Sequence, residues 1–226
     1  THQAYKCKAR VVAKGFMEVA GRDFFDVYSA VVNVKAFRLC LAILCLSPDH
    51  HAEQWDITAA FLHAMMEEKI FLELTSEDLE RYFNIPKSQS SKKRYLLKLI
   101  KCLYGLRQSS REWYKLLRRL LMECGCVPIC KDDCLYVKHV GEAWVIILVH
   151  VDDMGIFFNN GGRALRDEIF AFLACHIEVR NQGVLRYYLK MNIEYDSVAG
   201  IMKISQPYHE ILFQERFGMA EWKQRD

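Results

Sequence analysis

The sequence predicts an α+β fold, with helices packed on one face of an antiparallel sheet. Three observations carry that expectation. Residues 143–158, AWVIILVHVDDMGIFF, set two runs of strand formers on either side of an acidic pair, as a hairpin does. Residues 109–124 repeat apolar side chains at Trp113, Leu116, Leu117, Leu120, Leu121 and Cys124, the stripe of a helix lying on a core. Beyond residue 176, short strand-like runs alternate with turn residues.

The chain of 226 residues is long enough for one large domain or two small ones. Hydrophobic content of 52% with 26% charged residues is ordinary for a soluble globular protein. A net charge of +3 excludes a basic tail, so any charge that binds nucleic acid has to be concentrated locally. Nine cysteines, an odd count in a chain of this length, favour reduced thiols and an intracellular, cytoplasmic setting. The cluster CGCVPICKDDC has a spacing unlike the paired C-x2-C zinc frameworks, and its cysteines read as small apolar fillers. No signal sequence opens the chain, and the longest apolar runs are too short for a bilayer, so no membrane partner is expected. The start, mid-pattern and without methionine, reads as a piece of something longer.

Residues 6–16 alternate basic and apolar side chains like an exposed strand, with Lys6, Lys8, Arg10 and Lys14 on one face. That face is either a solvated edge or a surface for phosphates. Residues 34–46 form a helix apolar nearly all round, ended before Pro48. Residues 54–57 are a short strand with Asp56 near its end, followed by the small-residue turn Thr58-Ala59-Ala60. Residues 70–74 and 95–100 are further strands around a polar, basic loop at 86–94. The helix over 109–124 takes its cap from Ser109 or Ser110 and its stop from Gly125, with Arg111, Lys115, Arg118 and Arg119 opposite the apolar stripe. Residues 134–139 are a strand leading into the hairpin, and 163–173 a second amphipathic helix. Strands are expected at 177–180, 185–195 and 201–205, then a helix from Pro207.

The chemistry rests on carboxylates. Asp152 and Asp153 at the tip of an apolar hairpin repel each other and lose hydration, and a divalent cation relieves both penalties. An acidic pair alone is weak evidence, because turns favour aspartate. Asp56, at the end of another strand, is the candidate third member. Three such groups would hold two magnesium ions ~4 Å apart, the clamp used in phosphoryl transfer on nucleotides. A nucleotidyl cyclase would also pair carboxylates on such a sheet, but it leaves the LYGLRQ segment and the basic strand without a purpose.

The chain resembles the reverse transcriptase of copia-type LTR retrotransposons. The matching stretches are YKCKARVVAKGF, SAVV, QWDITAAFLHAMMEEKIFLEL, LIKCLYGLRQSSREWYKLL, CLYVK, ILVHVDDMGIF, GVLRYYLKMNIE and ISQPYHEILFQERFGM, in the family's order over nearly the whole chain. The resemblance implies a single right-hand polymerase domain over residues 1–226, with a ferredoxin-like palm sheet. Parts near 1–50 and 70–100 would be fingers and most of the rest palm. An N-terminal fingers segment, thumb, RNase H and integrase would lie outside it. It implies an RNA-directed DNA polymerase using two Mg²⁺ ions, with Mn²⁺ as a substitute, held by Asp56, Asp152 and Asp153. Its partners would be an RNA or DNA template-primer, deoxynucleoside triphosphates and the other polyprotein segments, in a virus-like particle. Lys8, Arg10, Phe61 and Gln108 would contact the nucleotide, with the Phe61 ring excluding a ribose 2′-hydroxyl. Gly105, Arg107 and Arg111 would contact template and primer. His150 stands where the family usually has tyrosine, Thr58-Ala59 where it has paired asparagines, Ala30 where proline is common and Lys190 where glycine is common. The alternative is an inactive, nucleic-acid-binding remnant of such a polymerase.

Overall fold

The computed structural model describes residues 9–30, 32–90, 94–129 and 133–219, with the backbone alone at Gln89 and Ser90. Its elements in chain order are α1 (Val34–Cys45), β1 (His50–Ile57), β2 (Phe71–Glu73), α2 (Ser76–Phe83), α3 (Lys87–Ser90), β3 (Leu96–Lys98), α4 (Ser109–Glu123) and β4 (Val127–Pro128). Then follow β5 (Leu135–Val140), β6 (Ala143–His150), β7 (Asp153–Asn159), α5 (Arg163–His176), β8 (Val179–Val184), β9 (Tyr187–Tyr188), β10 (Met191–Asp196), β11 (Ile201–Ser205) and α6 (Pro207–Arg216). Residues 1–30 and 59–120 make one compact unit, and residues 31–58 and 121–226 another. The fold is mixed, helices with antiparallel sheets, as the sequence predicts.

The second unit is built on a six-stranded sheet in the order β4-β5-β6-β7-β1-β8. All neighbours in it are antiparallel. One face lies against α5, where the Trp55 ring meets Phe170 edge-on at 5.0 Å and Ile169 and Leu173 are fully buried. The other face carries Ala52, Leu148 and Phe157, also buried, and these need cover of their own. Tyr188 supplies part of it, with Phe37 of α1 against its ring at 5.1 Å. Helices therefore serve both faces rather than the single face expected. Asn33 caps α1 by accepting from the Lys35 N–H. Phe37, Cys40, Leu41 and Leu44 of α1 are buried, whereas Val34 and Leu39 are exposed, so this helix is one-sided rather than buried all round.

A smaller sheet, β11-β10-β9, follows in the same unit. The single strand expected over 185–195 is split there by a turn at Leu189 and Lys190, with φ of 50° and 63°. Tyr188 and Met191 pair across it, so both central residues of a two-residue hairpin are left-handed, the type I′ habit that favours glycine. A glycine, which the resemblance leads one to expect where this chain has Lys190, would suit that backbone. Lys190→Gly is expected to stabilise the protein by about 1 kcal/mol, read as a higher urea midpoint.

The first unit packs Ala13, Ile70 and Leu106 into a small core with Met66, Leu72, Leu99 and Leu103, beside the β2–β3 ladder. α2 is an element the sequence reading passes over, although Thr75 and Asp78 close a capping box at its start. The expected basic strand over 6–16 is absent in its described part. Val12 makes one parallel bridge to Tyr104, and Gly15–Met17 already turns as a 3-10 helix. The two glycines here let backbone meet backbone. A Cβ on Gly15 would lie 1.9 Å from the Gly105 carbonyl oxygen, and one on Gly105, at φ +90°, would lie 2.2 Å from that of Ala13. The loop expected at 86–94 opens with α3, and its residues 91–93 lie outside the described residues, as do Cys7 and Cys130. Among the described residues no helix is long and apolar enough to cross a membrane.

Candidate active site

β1 is an interior strand, paired on one side with β7 and on the other with β8. The register sets Asp56 directly opposite Asp153 on β7 and opposite Arg180 on β8. Asp153 in turn faces His150 on β6. Directly paired residues of adjacent antiparallel strands share a face, so His150, Asp153, Asp56 and Arg180 form one row across four strands. The two carboxylates occupy its centre and the basic residues its ends. Arg180 also pairs with the neighbouring Glu178.

Asp152 lies one residue outside this row, in the turn. β6 ends at His150 and β7 begins at Asp153, earlier than the sequence suggested, leaving Val151 and Asp152 as a two-residue hairpin loop. Val151 has φ of 58°. A positive φ at the first central residue alone is the type II′ pattern, where glycine is favoured and a β-branched residue is strained by about 1–3 kcal/mol. The Asp152 carbonyl oxygen accepts the Ile57 N–H at 2.8 Å, which ties this turn to the end of β1 beside Asp56.

All three aspartates are half-buried. The Asp153 carboxyl is pushed above the usual carboxylate range, first by burial, then by the Asp152 charge and by Asp56. The Gln54 amide, donating to Asp153 Oδ1 at 3.5 Å, and His150 oppose that shift. Behind the site, Tyr188 is buried and donates to the Leu148 carbonyl at 3.0 Å and to that of Asp153 at 3.4 Å, fixing both arms of the hairpin. From the other face Glu53 anchors β1, accepting from Asn181 at 2.8 Å and Trp55 Nε1 at 3.3 Å and pairing with Arg166 at 3.3 Å.

Hard oxygen donors that repel one another in a half-buried setting suit a divalent cation such as Mg²⁺. Among the described residues no group of three or more His, Cys, Asp or Glu side chains forms a ready-made metal cage. That still fits magnesium, which takes one or two carboxylates and completes its shell with water and substrate phosphates.

The remaining candidates fall in the first unit. Lys8 lies outside the described residues. Arg10 is exposed, its guanidinium 5.5 Å above the Tyr104 ring. Phe61 is half-buried and meets the same Tyr104 edge-on at 5.1 Å. Arg107 is exposed and bound to its own unit, through Nε to the Gly15 carbonyl at 3.3 Å and through its backbone N–H to Glu18 at 3.0 Å. Gln108 is fully buried and donates to the Asp23 carbonyl at 3.3 Å. Arg111 is surrounded by acids, with Glu112 at 3.2 Å, Glu67 and Glu68 each at 3.3 Å and Asp26 at 3.8 Å. Lys115 joins the same network through Glu67 at 2.8 Å. Glu112, 4% exposed, is pushed upward by burial. The basic side of α4 is thus partly consumed by internal ion pairs. Gln54, Arg180 and Tyr188 are the residues that sequence reasoning missed. Gln54 shares the parity of Asp56 and was within reach of it, whereas Arg180 and Tyr188 are placed by strand pairing alone.

Comparison with known proteins supplies what geometry does not. The model of a family described as reverse transcriptase (RNA-dependent DNA polymerase) matches residues 1–224. The chain is 32% identical over 217 residues to the retrovirus-related Pol polyprotein of transposon TNT 1-94 from Nicotiana tabacum, covering 96% of this chain and 15% of that polyprotein. It is 29% identical over 199 residues to the Pol polyprotein of transposon RE1 from Arabidopsis thaliana, covering 88% and 13% of the two. Over 155 residues it is 28% identical to the transposon Ty1-BL Gag-Pol polyprotein of Saccharomyces cerevisiae, covering 68% and 8%.

Proposed function

Because the chain belongs to the reverse transcriptase (RNA-dependent DNA polymerase) family of copia-type transposons, we propose that it is the palm-bearing part of an RNA-directed DNA polymerase. The observation that carries this reading is the placement of Asp56 opposite Asp153, beside the Asp152 turn, in the interior of one antiparallel sheet. On this reading the second unit is the palm and the first carries fingers. Two Mg²⁺ ions, or Mn²⁺ in their place, bound to Asp56, Asp152 and Asp153 would activate the primer 3′-hydroxyl and stabilise the leaving pyrophosphate. The chain's own part is to hold the three carboxylates close and half-dehydrated. Gln54 reaches Asp153 at the limit of a hydrogen bond, and Tyr188 locks the hairpin backbone.

From the first unit, resemblance assigns Lys8, Arg10, Phe61 and Gln108 to the nucleotide and Gly105, Arg107 and Arg111 to template and primer. Gln108 and Arg111 would act by holding the segments around Asp23, Asp26 and Glu67 in place. Affinity for a primer-template would come mainly from phosphates and fall with salt. The chain spans 15% of the tobacco polyprotein it matches, so RNase H and integrase would act from other segments of such a polyprotein.

The test is extension of a labelled DNA primer on an RNA template with Mg²⁺ or Mn²⁺, using this chain and a longer piece of its polyprotein. Extension that Asp152→Asn abolishes is expected. Binding of the duplex with no extension at either length would overturn the polymerase reading in favour of an inactive remnant.

A further inference from the structure

The cysteines near the end of α4 read in the sequence as apolar fillers, and Cys124 and Cys126 are indeed buried, at 8% and 1% exposure. Their arrangement is more specific than filling requires. Gly125 between them takes φ +84° and closes the helix, its N–H bonding to the Met122 carbonyl at 3.0 Å and that of Cys126 to Leu121 at 2.9 Å. The reversal brings the two sulfurs to 3.7 Å, close enough for one thiol to hydrogen-bond the other. A disulfide has S–S of about 2.05 Å, so roughly 1.7 Å of further approach separates the pair from a covalent bond.

The surroundings make the two thiols unequal. Lys138 crosses the turn, its aliphatic arm beside Gly125, its ammonium donating to the Cys124 carbonyl at 2.8 Å and pairing with Glu168 at 3.0 Å. The contact with the Cys126 sulfur, with that ammonium nearby, holds the Cys124 thiol below its ordinary range despite burial, and its proton is directed at the Leu121 carbonyl at 3.1 Å. The same contact and its own burial push Cys126 up. Cys124 also keeps the larger residual exposure. Cys124 is thus the more reachable thiol and Cys126 lies behind it, the arrangement of an attacking and a resolving cysteine.

We propose that Cys124 and Cys126 form an oxidisable dithiol, which a hydroperoxide converts to an intrachain disulfide across Gly125. The Cys124 thiolate sulfur attacks one peroxide oxygen. The O–O bond breaks, the other oxygen leaves as hydroxide, and Cys124 becomes a sulfenic acid. The Cys126 sulfur then attacks the Cys124 sulfur. An S–S bond forms, the S–O bond breaks, and the hydroxyl leaves with the Cys126 proton as water. With hydrogen peroxide the sum is two thiols oxidised and one peroxide reduced to two waters, and a dithiol reductant, itself oxidised to a disulfide, returns the two thiols. A small oxidant is the suitable class, because little of Cys124 is open to solvent. The site is independent of the polymerase reading.

The experiment treats the purified chain with hydrogen peroxide, alkylates the remaining thiols and maps the peptides by mass spectrometry, before and after reduction with dithiothreitol. The expected result is a peptide lacking two hydrogens, carrying a Cys124–Cys126 link that dithiothreitol removes, while Cys175, exposed among the described cysteines, forms no intrachain link. Cys126→Ser should stop the reaction at a Cys124 sulfenic acid that dimedone traps, and Lys138→Gln should slow oxidation several-fold. Alkylation of both Cys124 and Cys126 after peroxide would overturn the proposal, as would a link from either to Cys130 or Cys134 as the main product.

Discussion

Replacing Asp153 with asparagine is expected to lower primer extension about a thousand-fold while making the protein more stable at neutral pH. The first effect follows from losing a carboxylate at the centre of the row. The second follows from the direction of its titration. The folded protein raises the Asp153 carboxyl above its ordinary range, mainly by burial, so the folded state holds that proton more tightly than the unfolded chain does. Stability from this group is therefore complete below the ordinary carboxylate range and is lost as pH rises through the raised folded value. Asparagine does not titrate. The gap in urea midpoint between Asp153→Asn and the parent should open as pH climbs out of the acid range and close again in acid. Magnesium should raise the midpoint of the parent more than that of the variant, which keeps only Asp56 and Asp152 as ligands. A variant less stable than the parent at neutral pH, or equally stabilised by magnesium, would remove the physical basis of the site. Gln54 loses little by the change, since its contact with Asp153 is at the limit of a hydrogen bond.

Gly105→Ala should cost at least about 2 kcal/mol, with the damage confined to the first unit. The resemblance leads one to expect a glycine kept open for template or nucleotide. In the fold its space is taken by the chain itself, since an added methyl would strike the Ala13 carbonyl and the Val12 side chain from a left-handed backbone. Hydrogen exchange should show the segment around residues 12–15 losing protection while β1, β6 and β7 keep theirs. If Gly105→Ala instead leaves the fold untouched and weakens only duplex binding, the glycine serves the ligand and the packing argument fails.

These two positions also mark how far the sequence could be read. The hairpin of β6 and β7, the stripe on α4 and the ends of α1 and α5 were legible within a residue or three, because each has a local period or a local stop signal. The meeting of Asp56 with Asp153 had no such signal. It depends on antiparallel pairing between segments distant in the chain, so Asp56 was a candidate by its place at a strand end and by resemblance, not by any local signal of the pairing. The hairpin at Leu189 and Lys190 was missed because neither residue is one that left-handed backbone prefers. The basic strand at the N-terminal end was misread for the opposite reason. Its alternation is real, but among the described residues it has no partner strand, and Gly15 redirects the chain against Gly105 after a single bridge. Arg111 looked like a cation free for phosphate, and only the fold shows that Glu67, Glu68 and Glu112 have claimed it.

β1 leaves the ribosome roughly a hundred residues before the strand that fits beside it, and β8 arrives later still. Until then both its edges carry unpaired N–H and C=O groups, an invitation to pair with the wrong neighbour. A premature stop anywhere between residues 60 and 150 would leave a sticky ribbon rather than a weakened catalyst.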